Sequence, residues 1–267
     1  MPLLTARKAL YFKRRSGPDV PEHPTITRFD IESPYGMKLL AIETSSETAS
    51  VALMLDDEVR LREGGTPGTH ARFVLPWVSG LLGESGLSLQ QLDGIAFSAG
   101  PGSFTGLRLA VSVAQGLSVG SGVRLVAVPT LEALALSAGD GLKYVCVDAR
   151  MGEVYSACYA VLGDEVTALS KVRVSPPAGL HRPDGELASW KGCGSGFALD
   201  AVGELEWLAE LGSIDAGLTA QAWQIGRLGC LRLAAGEGID AALASPIYVR
   251  DKVAQTTAER LAAGGRA

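Results

Sequence analysis

Two carboxylates, Glu43 and Asp148, close apolar runs of the same plan, Lys38-Leu-Leu-Ala-Ile-Glu-Thr-Ser-Ser-Glu-Thr-Ala-Ser-Val-Ala-Leu53 and Lys143-Tyr-Val-Cys-Val-Asp-Ala-Arg-Met-Gly-Glu-Val-Tyr-Ser-Ala-Cys158. Each run reads as a strand, an acid, a short polar turn and a second β-prone strand. Glu43 with Glu47, and Asp148 with Glu153, can serve as acid and base if they converge. The alternative, and the expected use, is pairing with Arg108 or Arg150 to fix the two hairpins. Superposing Glu43 on Asp148 divides the chain into two halves of similar plan, the trace of a duplicated fold with a cleft between its parts.

A second constellation is Gly94-Ile-Ala-Phe-Ser-Ala-Gly-Pro-Gly-Ser-Phe-Thr-Gly-Leu-Arg108, where a buried strand over 95–98 enters a helix over 107–118. Gly100, Gly102 and Gly106 permit positive φ and let backbone N–H groups approach a ligand, while Ser103 or Thr105 can cap the helix. The helix start and Arg108 add positive character. An anion or nucleotide site formed with Thr44 and Ser45, and a well-capped structural turn, both stay open. It is neither a Walker loop nor a G-x-G-x-x-G turn. The turn Trp190-Lys-Gly-Cys-Gly-Ser-Gly-Phe197 is a weaker sign of the same kind.

Between these lies a stripe of Phe73, Val74, Trp77, Val78, Leu81 and Leu82 at helical spacing, in a helix expected to start at Thr69 or His70 and to kink at Pro76. Such a stripe serves either the core or a second protein.

Further elements are expected as a strand over 124–128, a helix over 129–138, a hairpin over 143–161, poorly patterned short strands over 162–190, and a helix over 219–235. The organisation drawn is an N-terminal extension (1–36), disordered or over-called with Met37 as the start, then a first half (37–138), a second half (139–251) and a frayed tail (252–267). The extension carries five basic and no acidic residues up to Arg15; a tail that touches RNA is its alternative reading.

The 267 residues, 47% apolar and 20% charged, suffice for two modest cores or one large one. No apolar run reaches the roughly 18 residues of a membrane span. A net charge of −5 disfavours direct capture of a phosphate backbone. Cys146, Cys158, Cys193 and Cys230 form no C-x-x-C pair and read as buried thiols of a cytoplasmic protein.

Taken in order, A-I-E-T-S-S-E-T-A-S-V-A-L, T-H-A-R-F-V-L-P, S-A-G-P-G-S-F-T-G-L-R, V-D-A-R-M-G-E-V-Y and S-P-I-Y-V-R-D resemble the bacterial tRNA threonylcarbamoyladenosine biosynthesis protein TsaB (YeaZ) family from Met37 to about Asp251. The resemblance implies an α/β fold of two actin, sugar kinase and Hsp70 ATPase-like halves, the second degenerate. It further implies a noncatalytic scaffold that works with the catalytic paralogue TsaD and the ATPase TsaE. Together they move a threonylcarbamoyl group onto N6 of the adenosine 3′ of the anticodon in tRNAs that read codons beginning with A.

In that family the metal belongs to the paralogue, held by two histidines four apart on one helix face. This chain has His23, His70 and His181, and Phe73 and Val74 stand where a second ligand would follow His70. No metal site, no catalytic residue and no intrinsic cofactor are therefore expected, with room for ADP or ATP at the partner junction. The expected docking surface is His70, Arg72, Phe73, Trp77, Leu81, Leu107 and Val111, which would also serve a homodimer. The rival reading is an independent ATP-dependent small-molecule kinase of the same fold, with strand-end acids Glu43 and Asp148 holding magnesium.

Overall fold

The computed structural model describes residues 25–30, 36–56 and 58–249. His23, the basic start of the extension and the frayed tail lie outside the described residues.

The first sheet is built from β1 (Thr25–Asp30), β2 (Leu39–Glu43), β3 (Ala49–Met54), β4 (Glu58–Gly64), β5 (Gly94–Gly100) and β6 (Leu125–Pro129), in the order β1-β4-β3-β2-β5-β6. The second contains β7 (Gly141–Arg150), β8 (Glu153–Leu162), β10 (Arg173–Ser175), β11 (Trp190–Cys193) and β12 (Ser213–Asp215), in the order β10-β8-β7-β11-β12, with β9 (Glu165–Ala168) also on β8. In each sheet an antiparallel hairpin, β2–β3 or β7–β8, is followed by two parallel strands on its other side. The two halves thus repeat one topology, as the paired acids suggested.

β1 was not foreseen. It pairs antiparallel with β4, and Arg28 Nε lies 3.7 Å from Glu58 Oε1. The strand covers an edge that would otherwise present unpaired backbone groups.

Side chains alternate along the strands and sort the interior into layers. On the outer face of the first sheet, Leu40, Ile42, Val51, Leu53, Ile95 and Phe97 pack under α1 (Val74–Ser85) and α2 (Phe104–Ser121). Leu39, Ala41, Ala52, Met54 and Ala96 point inward. There they meet α3 (Thr130–Ser137), α5 (Ala222–Ala234) and the inner face of the second sheet, represented by Val145, Ala157, Tyr159 and Val161. Tyr144, Cys146 and Val154 form the far layer with Trp190, Leu208 and α4 (Asp200–Gly203). The second half has only short turns where the first has α1 and α2.

The helices of the middle layer are exchanged. α5 closes the second half yet lies along β2, β3 and β5, while α3 closes the first half and touches β5 and β6 of its own sheet as well as β7, β8 and β9 of the other. Gly226 and Gly229 permit the approach of α5, since a Cβ there would come within 2.5 Å of Met54 Sδ and 2.6 Å of Ala96 Cβ respectively. Arg232 Nη2 donates to Glu132 Oε2 at 2.7 Å, joining α5 to α3, and Arg227 pairs with Asp164 beyond β8.

Two expectations about the outer helices are corrected. α1 starts at Val74, after a 3-10 turn over His70–Arg72, and does not need a kink at Pro76. Pro76 is its third residue, where no intrahelical N–H bond is lost. Second, four of the expected docking residues are buried: Trp77, at 3% exposure, Leu81 and Val111 pack in the layer between these helices and the sheet, and Leu107 lies beside Gly100. His70 is also buried. The stripe is spent on the protein's own β2, β3 and β5, whereas Leu75, Phe104 and Arg108 on these helices, and Arg72 in the turn before α1, are exposed.

Candidate functional site

At the end of β2 the Glu43 carboxylate is fully buried. Its Oε1 accepts from Ser45 N at 2.8 Å, Ser45 Oγ at 2.7 Å, Ser46 N at 2.9 Å and Ser46 Oγ at 3.1 Å. Burial pushes its pKa above the ordinary carboxylate value, and the four donors oppose that rise. The expected partner Arg108 is elsewhere. Its guanidinium lies 3.7 Å over the Phe104 ring, and its Nε donates to Tyr248 Oη at 3.4 Å.

The next two residues meet the glycine-rich loop. Thr44 Oγ1 donates to Gly106 O at 2.7 Å, and Ser103 N donates to Ser45 O at 3.0 Å. Ser103 is the N-cap of α2, its Oγ accepting from Gly106 N at 3.4 Å. A Cβ at position 106 would stand 2.0 Å from Thr44 O, and one at position 102 would stand 2.8 Å from Ser45 Cβ. These two glycines therefore admit a neighbouring turn of the protein itself. Gly100, at φ 114°, donates its N–H to Thr130 Oγ1 at 3.2 Å, and the Gly100–Pro101 peptide is cis. Thr130 Oγ1 also lies 3.3 Å from Ser45 Oγ. Thr105 is exposed on the first turn of α2.

His70 enters from the other side, with Nδ1 3.3 Å from Thr44 O. A carbonyl can only accept, so Nδ1 carries the proton. The turn after β2 is thus bonded to the starts of α2 and α3 and to the 3-10 turn that leads into α1.

In the second half, Arg150 N and Nη1 donate to Asp148 at 2.7 and 3.0 Å, and Nη2 donates to Glu47 Oε1 at 2.7 Å. The acids at the two hairpins accordingly have separate partners: hydroxyls and amides around Glu43, a guanidinium for Asp148 and Glu47. The turn over 190–197 is a packing feature, since a Cβ at Gly194 would lie 2.4 Å from Cys146 O. Its Ser195 Oγ accepts from Asp148 N at 3.2 Å.

Sequence reasoning missed Ser46 and Thr130 as hydrogen-bonding partners, and Phe104 and Tyr248 as a surface pair with ring centroids 6.2 Å apart. Tyr248 sits within the S-P-I-Y-V-R-D motif, which was the available signal. Among the described residues no group of three or more His, Cys, Asp or Glu side chains is placed to hold a metal ion, and no helix is long and apolar enough to cross a membrane.

Two mixed sheets of one topology, with an acid at the end of β2 and another two residues before the end of β7, define a protein of the duplicated actin, sugar kinase and Hsp70 ATPase class. The family described as TsaD, tRNA N6-adenosine threonylcarbamoyltransferase, matches residues 66–192. The tRNA threonylcarbamoyladenosine biosynthesis protein TsaB of Escherichia coli (strain K12) is 33% identical over 231 residues, 82% of this chain and 96% of that protein. A tRNA N6-adenosine threonylcarbamoyltransferase of Paracoccus denitrificans is 34% identical over 128 residues, 41% of this chain and 36% of that one. The solved structure of YeaZ from Pseudomonas aeruginosa superposes with a TM-score of 0.72 at 34% identity, covering 79% of this chain and 99% of its own. The chain belongs to the TsaB (YeaZ) family of tRNA threonylcarbamoyladenosine biosynthesis proteins.

Proposed function

We propose that the chain is the noncatalytic partner of TsaD in threonylcarbamoyl transfer to N6 of the adenosine 3′ of the anticodon, with TsaE as the ATPase of the system. The observation that carries this reading is the environment of Glu43. The acid best placed to hold an ion or move a proton at the end of β2 has its carboxylate enclosed by Ser45 and Ser46 and is used to shape a turn. Asp148 is likewise committed to Arg150.

The chain is itself a relative of the transferase over residues 66–192. Related chains pair readily through equivalent surfaces, as identical chains do in two-fold dimers. The outward side of α1 and α2 fits that role. Arg72 and Leu75 are exposed there, and Phe104, Arg108 and Tyr248 form an aromatic and cationic cluster of the kind enriched in protein interfaces. With a net charge of −5, tRNA contact falls mainly to the other subunits.

The test is threonylcarbamoyl transfer to tRNA by TsaD and TsaE from the same source, with and without this chain. Activity that appears only when the chain joins TsaD is the expected result, and activity indifferent to its presence overturns the proposal. ATP turnover by the isolated chain would instead favour the kinase reading. Adding ADP to the pair tests whether a nucleotide binds at the junction.

A further inference from the structure

We infer that Glu43 and Thr44 are positioning residues that set the starts of α1 and α2 relative to one another, and so shape the surface that meets the partner. The inference rests on the docking surface proposed above. Thr44 touches both outer elements at once: its carbonyl accepts from His70 Nδ1 at 3.3 Å, and its hydroxyl donates to Gly106 O at 2.7 Å. Ser45 O adds the bond from Ser103 N at 3.0 Å. The residues carrying these bonds lie next to the exposed ones, since Arg72 follows His70 by two positions and Phe104 and Arg108 flank Gly106 by two on either side. A shift of Thr44 would therefore move both groups of surface side chains together.

Glu43 supplies the rigidity. A turn that hands carbonyls to neighbouring elements needs its own N–H groups satisfied, and those of Ser45 and Ser46 both go to the Glu43 carboxylate. The approach is so close that residue 106 has no room for a Cβ beside Thr44 O. Hydroxyl, carbonyl and glycine thus form one joint between the strand and two helix starts. The Glu43 carboxylate therefore acts through backbone geometry.

The test compares wild type with Thr44→Val, which keeps the shape of the side chain and deletes the hydroxyl, and with Thr44→Ser, which keeps the hydroxyl. Amide exchange at Phe73 and Leu107 reports the two helix starts, and affinity for TsaD reports the surface. Thr44→Val should speed exchange at both amides and weaken binding about tenfold, the loss expected for one buried hydrogen bond, while Thr44→Ser stays near wild type. Should Thr44→Val fail to fold, Glu43→Gln is read the same way: with its amide oxygen in the place of Oε1, its amide nitrogen replaces Oε2, which accepts from Ser45 N at 3.2 Å and Ser45 Oγ at 3.3 Å.

Unchanged affinity, or faster exchange in only one of the two helices, overturns the inference. Failure of the wild-type chain to bind TsaD would instead overturn the functional reading. In that case the exchange rates alone decide whether the joint exists.

Discussion

Arg150 holds Glu47 at 2.7 Å and Asp148 at 3.0 Å, so one guanidinium links the turn after β2 to the strand end of β7. The two repeats are thereby bridged at the point where their hairpins approach. Arg150 and Glu47 are nevertheless 68% and 54% exposed, and solvent screens them. Arg150→Ala should cost less than about 1 kcal/mol of stability. A double-mutant cycle with Glu47→Ala, measured by urea unfolding, should give a coupling that fades in high salt; a large salt-independent coupling would contradict this account.

Trp77→Ala removes a side chain wedged between α1 and the sheet and stacked on Phe73 at 5.4 Å. A loss of about 3–5 kcal/mol is expected. Leu75→Ala, two residues away and 52% exposed, should leave stability within about 0.5 kcal/mol and instead weaken the proposed pairing with TsaD. Thermal unfolding and a binding isotherm on both variants separate the two roles.

The glycines of α2 should respond oppositely to alanine. At Gly106 the new Cβ would stand 2.0 Å from Thr44 O, and a loss above about 3 kcal/mol is expected. At Gly116, on the same helix, a Cβ meets nothing within 4 Å, so the variant should gain about 0.5–1 kcal/mol. Denaturant midpoints at equal slope would show the difference.

Burial pushes the thiols of Cys146 and Cys193 up to about 12 and that of Cys158 to about 11. At pH 8 the folded protein should therefore react slowly with a disulfide reagent, and all four thiols should react once urea unfolds it. The sign of the linkage follows. These thiols ionise near 9.0 when unfolded, so their contribution is constant below that value and stability declines as pH rises from 9.0 toward 12. Rapid titration of Cys146, Cys193 or Cys230 in the native state would refute their burial, Cys158 being only half-buried.

The repeated hairpins, the Ser103 cap of α2 and the family were legible because each leaves a local pattern: an acid after an apolar run, a hydroxyl before a helix, motifs in a fixed order. The direction of the α1 stripe was not. Spacing of Trp77 and Leu81 shows that one face is buried but not whether its own sheet or another chain covers it. The glycines were ambiguous for a related reason. Gly102 and Gly106 mark a close approach, and the group lying against them is Thr44–Ser45, far away in sequence. β10 and β12, at three residues each, are too short for alternation to register. β1 went unseen because its six residues follow a polar, proline-containing stretch whose composition dominated the reading.

The crossing of α3 and α5 between the sheets has a consequence for how such a chain arises and fails. Alone, the first repeat would lack the α5 that covers β2, β3 and β5, and the second would lack the α3 that lies on β7 and β8. A lone repeat would be complete only as a swapped pair of copies, each lending the other a helix. Joining the copies in one polypeptide makes that loan internal and permanent, so cutting the chain between its halves should not release two domains but two insoluble fragments, each lacking the same part.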